Sequence, residues 1–230
     1  MIIVITGTRK GIGRYLAEYY LEKDNIVIGC SRGESDLKHK NYQHFQIDIT
    51  KENEVNDFVK EIRKNHSSID VLINNAGAAS MNHFMLTPVS RAKELIELNY
   101  LGAYYCVREL VNLLKKSPNP RIINFSTVAV PLNLAGELAY VSSKGAVESF
   151  TRVLSKELAQ FKITCNAVAP TPISTDLTAG VPKNKLEELM DKQAIHRMGK
   201  FEDVSNVIDF YISPQSDFIT GQIIYLGGVN

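Results

Sequence analysis

Short runs of β-branched and other apolar residues alternate along the chain with longer segments whose apolar positions recur every three or four residues. The runs 2–6 (IIVIT), 26–30 (IVIGC), 69–73 (IDVLI), 121–125 (RIINF) and 163–168 (ITCNAV) have the length and composition of buried strands. Weaker members of the same set are 44–48 (HFQID) and 222–226 (QIIYL). Between them, helical periodicity covers 12–23, 51–65, 89–116, 138–161, 185–193 and 202–212, with Thr50 and Asp203 as expected N-caps. Strands alternating with helices predict right-handed βαβ units. The fold class is therefore α/β, a doubly wound three-layer α/β/α sandwich around a mostly or fully parallel sheet of about seven strands. No linker, repeat or low-complexity tract divides the chain, so residues 1–230 are expected to form a single domain. In such sheets ligands bind beyond the carboxyl ends of the strands, where strand order reverses.

Composition narrows the partners. At 44% hydrophobic and 22% charged the chain supports a substantial core. A net charge of +1, from 26 basic and 25 acidic residues, leaves no broad electrostatic footprint for nucleic acid or an anionic membrane. No apolar run approaches the roughly 20 residues of a membrane-spanning helix, and the opening MIIVITG has neither the length nor the basic leader of a secretory signal. Cys30, Cys106 and Cys165 are isolated in apolar stretches, which predicts reduced, buried thiols and a cytoplasmic protein. The five histidines are scattered and no metal-ligand spacing is present, so no metal is expected.

The first strand runs directly into Thr6-Gly7-Thr8-Arg9-Lys10-Gly11-Ile12-Gly13 at the start of a helix. Glycines there permit a tight turn and let backbone N–H groups approach a pyrophosphate at a helix N-terminus. A plain flexible turn would share the glycines; the strand–turn–helix setting points to a dinucleotide. The spacing G-x-x-x-G-x-G is neither the commoner G-x-G-x-x-G nor a Walker loop. With T-G-x-x-x-G-x-G intact from Thr6 to Gly13, the chain resembles the short-chain dehydrogenase/reductase family, in its compact single-domain branch, and the fold expected is Rossmann-type.

The resemblance continues in register: Asp48 in QIDIT, Asn74-Asn75-Ala76-Gly77 after the strand IDVLI, Asn99 in ELNYLGAYY, Tyr140 and Lys144 in AYVSSK, Pro170, Ile173 and Thr175 in PTPIST, and the tail ITGQIIYLGG. It implies a cofactor site of Gly7, Lys10, Gly11, Ile12, Gly13, Ser31, Arg32, Asp48, Ile49, Asn75, Ala76, Gly77, Tyr140, Lys144, Pro170, Ile173 and Thr175, with Asp48 bonding the adenine amino group. It also implies a catalytic set of Asn99, Thr127, Tyr140 and Lys144. Threonine stands at position 127, where the family usually has serine; Ser126 is the alternative hydroxyl. Two further departures are Thr171-Pro172, where a glycine often follows the proline, and Leu226 in place of a frequent aspartate.

Tyr140 and Lys144 stand four apart, on one face of a helix. A nearby ammonium favours phenolate and would lower a phenol pKa from its usual value near ~10. Tyr19 and Lys23 repeat the spacing, but they end the first helix away from any polar strand end and read as packing and surface residues. Hydride addition to a carbonyl builds charge on oxygen that needs a proton and a hydrogen bond. Tyr140 is therefore expected to be the acid in reduction and the base in oxidation. The resemblance adds that Lys144 holds the nicotinamide ribose and that Asn99 orders a water linking the lysine to solvent.

An acid at the end of the second strand would select NAD. The sequence has Cys30-Ser31-Arg32-Gly33 there and Lys10 in the glycine loop, which predicts NADP(H) in preference to NAD(H). Arg9 is adjacent but its direction is not set by the sequence. Substrate contacts are expected from Val128, Pro131, Leu132, Leu134 and Leu138 and from a lid over 171–198 carrying Leu186, Leu189 and Met190. His83 and His196 are more in keeping with solvated loop positions. The resulting expectation is an NADP(H)-dependent oxidoreductase for a small or medium, mainly apolar carbonyl or alcohol. A 3-oxoacyl-[acyl-carrier-protein] reductase and a non-catalytic NADP(H)-binding sensor remain as alternatives, and a nucleotide-sugar epimerase is disfavoured because no extended substrate region follows. Apolar residues beyond one stripe in 89–116, together with Ala146 and Val153, predict self-association, and the resemblance implies a homodimer or homotetramer built on these two helices.

Overall fold

The structure is a computed structural model and describes residues 1–176 and 178–229. Seven strands, β1 (Ile2–Thr6), β2 (Ile26–Ser31), β3 (Tyr42–Gln46), β4 (Val71–Asn74), β5 (Arg121–Phe125), β6 (Thr164–Ala169) and β7 (Ile223–Tyr225), form one sheet in the order β3-β2-β1-β4-β5-β6-β7. Every pairing is parallel. The chain winds outward from β1 to β3, then returns to place β4 on the other side of β1. That reversal opens a crevice between the carboxyl ends of β1 and β4. This is the expected Rossmann-type doubly wound sheet.

The helices are α1 (Gly11–Glu22), α2 (Glu52–Asn65), α3 (Val89–Ile96), α4 (Gly102–Leu114), α5 (Ala129–Leu132), α6 (Leu138–Glu157), α7 (Lys183–Met190) and α8 (Phe201–Ile212). Two cores flank the sheet. On one face Val4, Ile28, Leu72 and Ile122 pack with Phe58 and Ile62 of α2 and Cys106 and Leu110 of α4. On the other, Ile3, Ile5, Val71 and Ile123 pack with Leu16 and Tyr20 of α1 and Val204 and Ile208 of α8. Burial on both faces is why the central strands are continuously apolar rather than alternating.

Three expectations shift. The strand expected at 44–48 lies at Tyr42–Gln46, so Asp48 is beyond it in the connecting turn. Thr50 does not cap α2: its N–H and hydroxyl both donate to Asp48 Oδ1, at 3.0 and 2.8 Å, and Lys51 occupies the cap position. Asp203 lies in the first turn of α8 rather than before it, accepting the Lys200 N–H at 2.7 Å and both guanidinium arms of Arg197 at 2.7 and 2.9 Å. The periodicity of 89–116 also hides a break. A π turn at Glu97–Leu101 separates α3 from α4 and carries Asn99; such bulges keep the apolar stripe while re-aiming a side chain.

The junction of β1 and α1 sets the crevice. Gly7 takes φ +79°, a left-handed conformation, and a Cβ there would lie 2.9 Å from Asn75 Nδ2. A Cβ on Gly13 would lie 2.3 Å from both Asn75 Nδ2 and the Gly7 carbonyl oxygen. Backbone cannot yield to that contact as a side-chain tip can. Gly13→Ala is expected to destabilise the protein by about 1–3 kcal/mol, read as a lower urea midpoint with an unchanged denaturant slope.

Candidate active site

The crevice deepens into a cleft of about 750 Å³. Its floor is tied across the sheet reversal: Asn75 Nδ2 donates to the Thr6 carbonyl at 2.9 Å, and the Ala76 N–H donates to Thr6 Oγ1 at 3.0 Å. The Cys30 carbonyl accepts from the N–H groups of Gly7 and Thr8 at 2.8 and 3.2 Å, fixing the glycine turn to β2. Burial pushes the Cys30 thiol up to about 12 and raises those of Cys106 and Cys165 as well; all three are free and buried. Of the residues expected at the cofactor site, all but Gly13 line the cleft, and Gly13 lies beneath it in the helix–strand contact described above.

Several of these residues are already engaged. Ser31 Oγ donates to the Gly33 carbonyl at 2.8 Å. Asp48 Oδ1 takes both Thr50 bonds, and the Asp48 N–H donates to Glu54 Oε2 at 2.7 Å, which fixes the turn that presents Asp48 and Ile49. Lys10 Nζ reaches across to Asp176 Oδ2 at 2.7 Å. Arg32 is exposed at the cleft rim. Arg9, left out of the expected set, also lines the cleft, with its Cδ and Nη1 3.2 and 3.3 Å from where a Gly33 Cβ would stand.

At the other end, Thr127 follows the carboxyl end of β5, and α6 presents Tyr140 and Lys144 to the same cleft. Burial pushes the Tyr140 phenol up to about 12; the neighbouring Thr127 hydroxyl pulls down, and the Glu137 carboxylate pushes further up. The expected lowering by Lys144 is not found. Lys144 is buried and donates from Nζ to the Phe125 carbonyl at 2.8 Å, and loss of hydration brings its own pKa down to about 8. A buried ammonium whose charge is itself disfavoured does little for a neighbouring phenolate.

Ser126, the alternative hydroxyl, donates to Glu148 Oε1 at 2.7 Å. Glu148 is buried on α6 and also accepts from Tyr225 of β7 at 2.8 Å and from Arg152 at 3.1 Å. This cluster clamps α6 to the ends of β5 and β7. Thr127 is left as the hydroxyl beside Tyr140. Asn99 sits behind the cleft: Oδ1 accepts the Ala78 N–H at 2.9 Å, and Nδ2 donates to the Ala78 carbonyl at 3.0 Å and to Ser143 Oγ at 2.8 Å. Neither amide hydrogen is left for a water.

The substrate end is lined by Ala78, Ala79, Met81, Val128, Ala129, Leu134 and Glu137 on one side and by Val181, Leu186 and Leu189 on the other. Pro131, Leu132, Leu138, Met190, His83 and His196 are not in this lining, and residue 177 of the expected lid lies outside the described residues. Met81 and Glu137 line the cleft without being among the expected contacts; Glu137 stands three residues before Tyr140, a position that by itself reads as solvated. The second Tyr-x-x-x-Lys pair is on the surface between α1 and α8, with Tyr19 and Lys23 both bonded to Asp209 at 2.6 Å. Among the described residues, no group of three or more His, Cys, Asp or Glu could hold a metal, and no helix is long and apolar enough to cross a membrane.

The family model for short chain dehydrogenases matches residues 1–186. The chain is similar to a protein named 3-oxoacyl-[acyl-carrier-protein] reductase from Staphylococcus epidermidis, with 29% identity over 98% of this chain and 96% of that one. Among solved structures it is similar to a 4-hydroxyisoleucine dehydrogenase complexed with NADH, at 26% identity and TM-score 0.89 over 100% of this chain and 98% of the other. It is also similar to ElxO with NADP bound, at 28% identity and TM-score 0.88 over 98% and 96%. The family model spans most of the chain and the solved structures share its architecture along nearly the whole length: the protein belongs to the short chain dehydrogenase family of oxidoreductases.

Proposed function

We propose that this oxidoreductase moves hydride between NADP(H) and a small or medium, mainly apolar carbonyl or alcohol. The observation that carries the reading is the convergence of Thr127, Tyr140 and Lys144 on one cleft whose other end is the glycine turn. The residues fit a dinucleotide. Gly7 and Gly13 leave no room for a side chain in the turn, while above Gly11 the nearest atom to a Cβ would be a Thr175 methyl at 3.7 Å, so the backbone faces an open approach. The nicotinamide supplies or accepts the hydride at the carbonyl carbon; solved relatives with NADH or NADP support such a cofactor.

Tyr140 gives its proton to the oxygen that gains charge, and takes it back in the oxidative direction. Thr127 donates a hydrogen bond that orients the same oxygen. Lys144, with a pKa brought to about 8, changes protonation state near working pH and can return a proton to the phenol. Arg9 and Arg32 stand at the ribose end with no carboxylate partner among the described residues, which favours a 2′-phosphate. Lys10 reaches that phosphate by leaving Asp176, an exposed and solvent-screened partner that holds it only weakly.

A 3-oxoacyl group on a carrier protein is the second reading, favoured by the similarity to the Staphylococcus epidermidis enzyme. Against it, residues 122–143, which include one wall of the mouth, contain no lysine or arginine to meet an acidic carrier. Self-association rests on the surface of α4 and α6, where Tyr100, Tyr104 and Phe150 form an aromatic cluster and Val153 is exposed.

Three outcomes are expected. Following NADPH oxidation at 340 nm with ketones, aldehydes and 3-oxoacyl thioesters, Tyr140→Phe should lose at least about a hundredfold in kcat while still binding NADPH; full activity in that variant would remove Tyr140 as the acid. Arg32→Ala should weaken NADPH roughly tenfold and NADH little, by fluorescence titration; equal losses would remove the phosphate contact. The third concerns stability. Between pH 8 and 10.5 an unfolded lysine still holds the proton that buried Lys144 has released, so its contribution to stability rises with pH across that window. The stability of the wild type minus that of Lys144→Met should climb by on the order of 3 kcal/mol from pH 7 to above 10, measured by urea unfolding.

A further inference from the structure

Glu137 lines the cleft in a wall otherwise built from Val128, Ala129 and Leu134. Among the described residues its carboxylate has no hydrogen-bond donor and no cation beside it, and burial alone raises its pKa. Of the cations across the cleft, Lys185 pairs with Glu188 at 2.7 Å and Lys144 bonds the Phe125 carbonyl, while Lys192 is exposed on the facing wall and makes no bond to Glu137. Nor does the helix account for it. Glu137 occupies the N-cap of α6, where Ser, Thr, Asp or Asn stabilises, yet its side chain makes no cap bond. A half-buried carboxylate without a protein partner keeps only part of its hydration, so a cation brought to it from the cleft would be favoured.

We infer that Glu137 is a specificity-determining residue that pairs with an ammonium group on the substrate, so that the preferred substrates are amino ketones or the corresponding amino alcohols. This rests on the carbonyl oxidoreductase reading above. Glu137 and Tyr140 are one helical turn apart, with Cβ atoms roughly 5–6 Å from each other, so the nitrogen belongs about two to four bonds from the reacting carbon. The apolar wall takes the carbon skeleton between them. Pairing would also act on the proton transfer. The Glu137 charge holds the Tyr140 phenol more strongly protonated; an ammonium that neutralises it removes that field while the substrate is in place, and leaves a better acid at the oxygen.

The test compares two ketones of one shape, 1-methyl-4-piperidone, kept protonated at pH 6.5, and 4-methylcyclohexanone, in wild type, Glu137→Gln and Glu137→Ser. The serine variant supplies a true N-cap, so a folding defect cannot explain its result. In the wild type kcat/KM should favour the charged ketone roughly tenfold, mainly through KM, and the ratio should fall to about one in both variants. A ratio unchanged by the substitutions would overturn the proposal. Binding is read separately, as the thermal shift produced by 1-methylpiperidine on the enzyme saturated with NADPH. A shift in wild type that is lost in Glu137→Gln supports the pairing even if neither ketone is reduced, in which case the reductase reading is what fails. No shift in wild type, with 4-methylcyclohexanone turned over, overturns the pairing and leaves the reductase reading standing.

Discussion

Parallel pairing governs this molecule more than any single contact. Two parallel strands cannot be joined by a tight turn, so each connection must carry the chain back across the sheet, and every strand ends on the same edge. Seven such strands therefore deliver Gly7, Ser31, Asn75, Thr127 and Pro170 to one rim, although 163 positions separate the first from the last. What remains is to hold the rim in register. Short polar bonds do this: Asn75 to Thr6, Ala76 to Thr6 and Lys144 to Phe125 each tie an element to a strand end rather than to its middle.

The buried charges on α6 divide the labour. Glu148 has three donors and makes a clamp, with Ser126, Tyr225 and Arg152 drawn from two strands and its own helix. Lys144, four residues earlier, has one carbonyl and no carboxylate. The satisfied group immobilises the helix, and the under-satisfied one is left free to change protonation state. A single helix thus carries its anchor and its reactive groups one turn apart.

The order of strands and helices was readable because burial on both faces leaves long apolar runs, and the cofactor loop because glycine spacing reports backbone shape directly. Local chemistry was harder. Asp203 and Thr50 looked like caps in a one-dimensional reading, yet Arg197 and Asp48 compete for them in space. The π turn is silent in the periodicity because the segment around it is apolar on more than one face, which masks the change of phase that an extra residue brings; only Gly102 just beyond it hints at a break. Spacing also could not say that the lysine of Tyr19–Lys23 touches its tyrosine at 2.6 Å while Lys144 is bonded to backbone instead. The pair with the closer contact is the one on the surface. Glu137 was overlooked for a related reason: a lone glutamate before a helix reads as solvated, and only its wall of aliphatic neighbours makes it unusual.

The three thiols lie in β2, α4 and β6, one in a strand on each side of the crevice and one in a covering helix. Raised by burial, they are almost wholly protonated at neutral pH, and it is the thiolate that reacts with alkylating agents and oxidants. The folded protein is therefore inert to such reagents, and modification has to wait until the sheet opens. Thiol labelling of this chain is a clock for its own unfolding, needing no introduced probe.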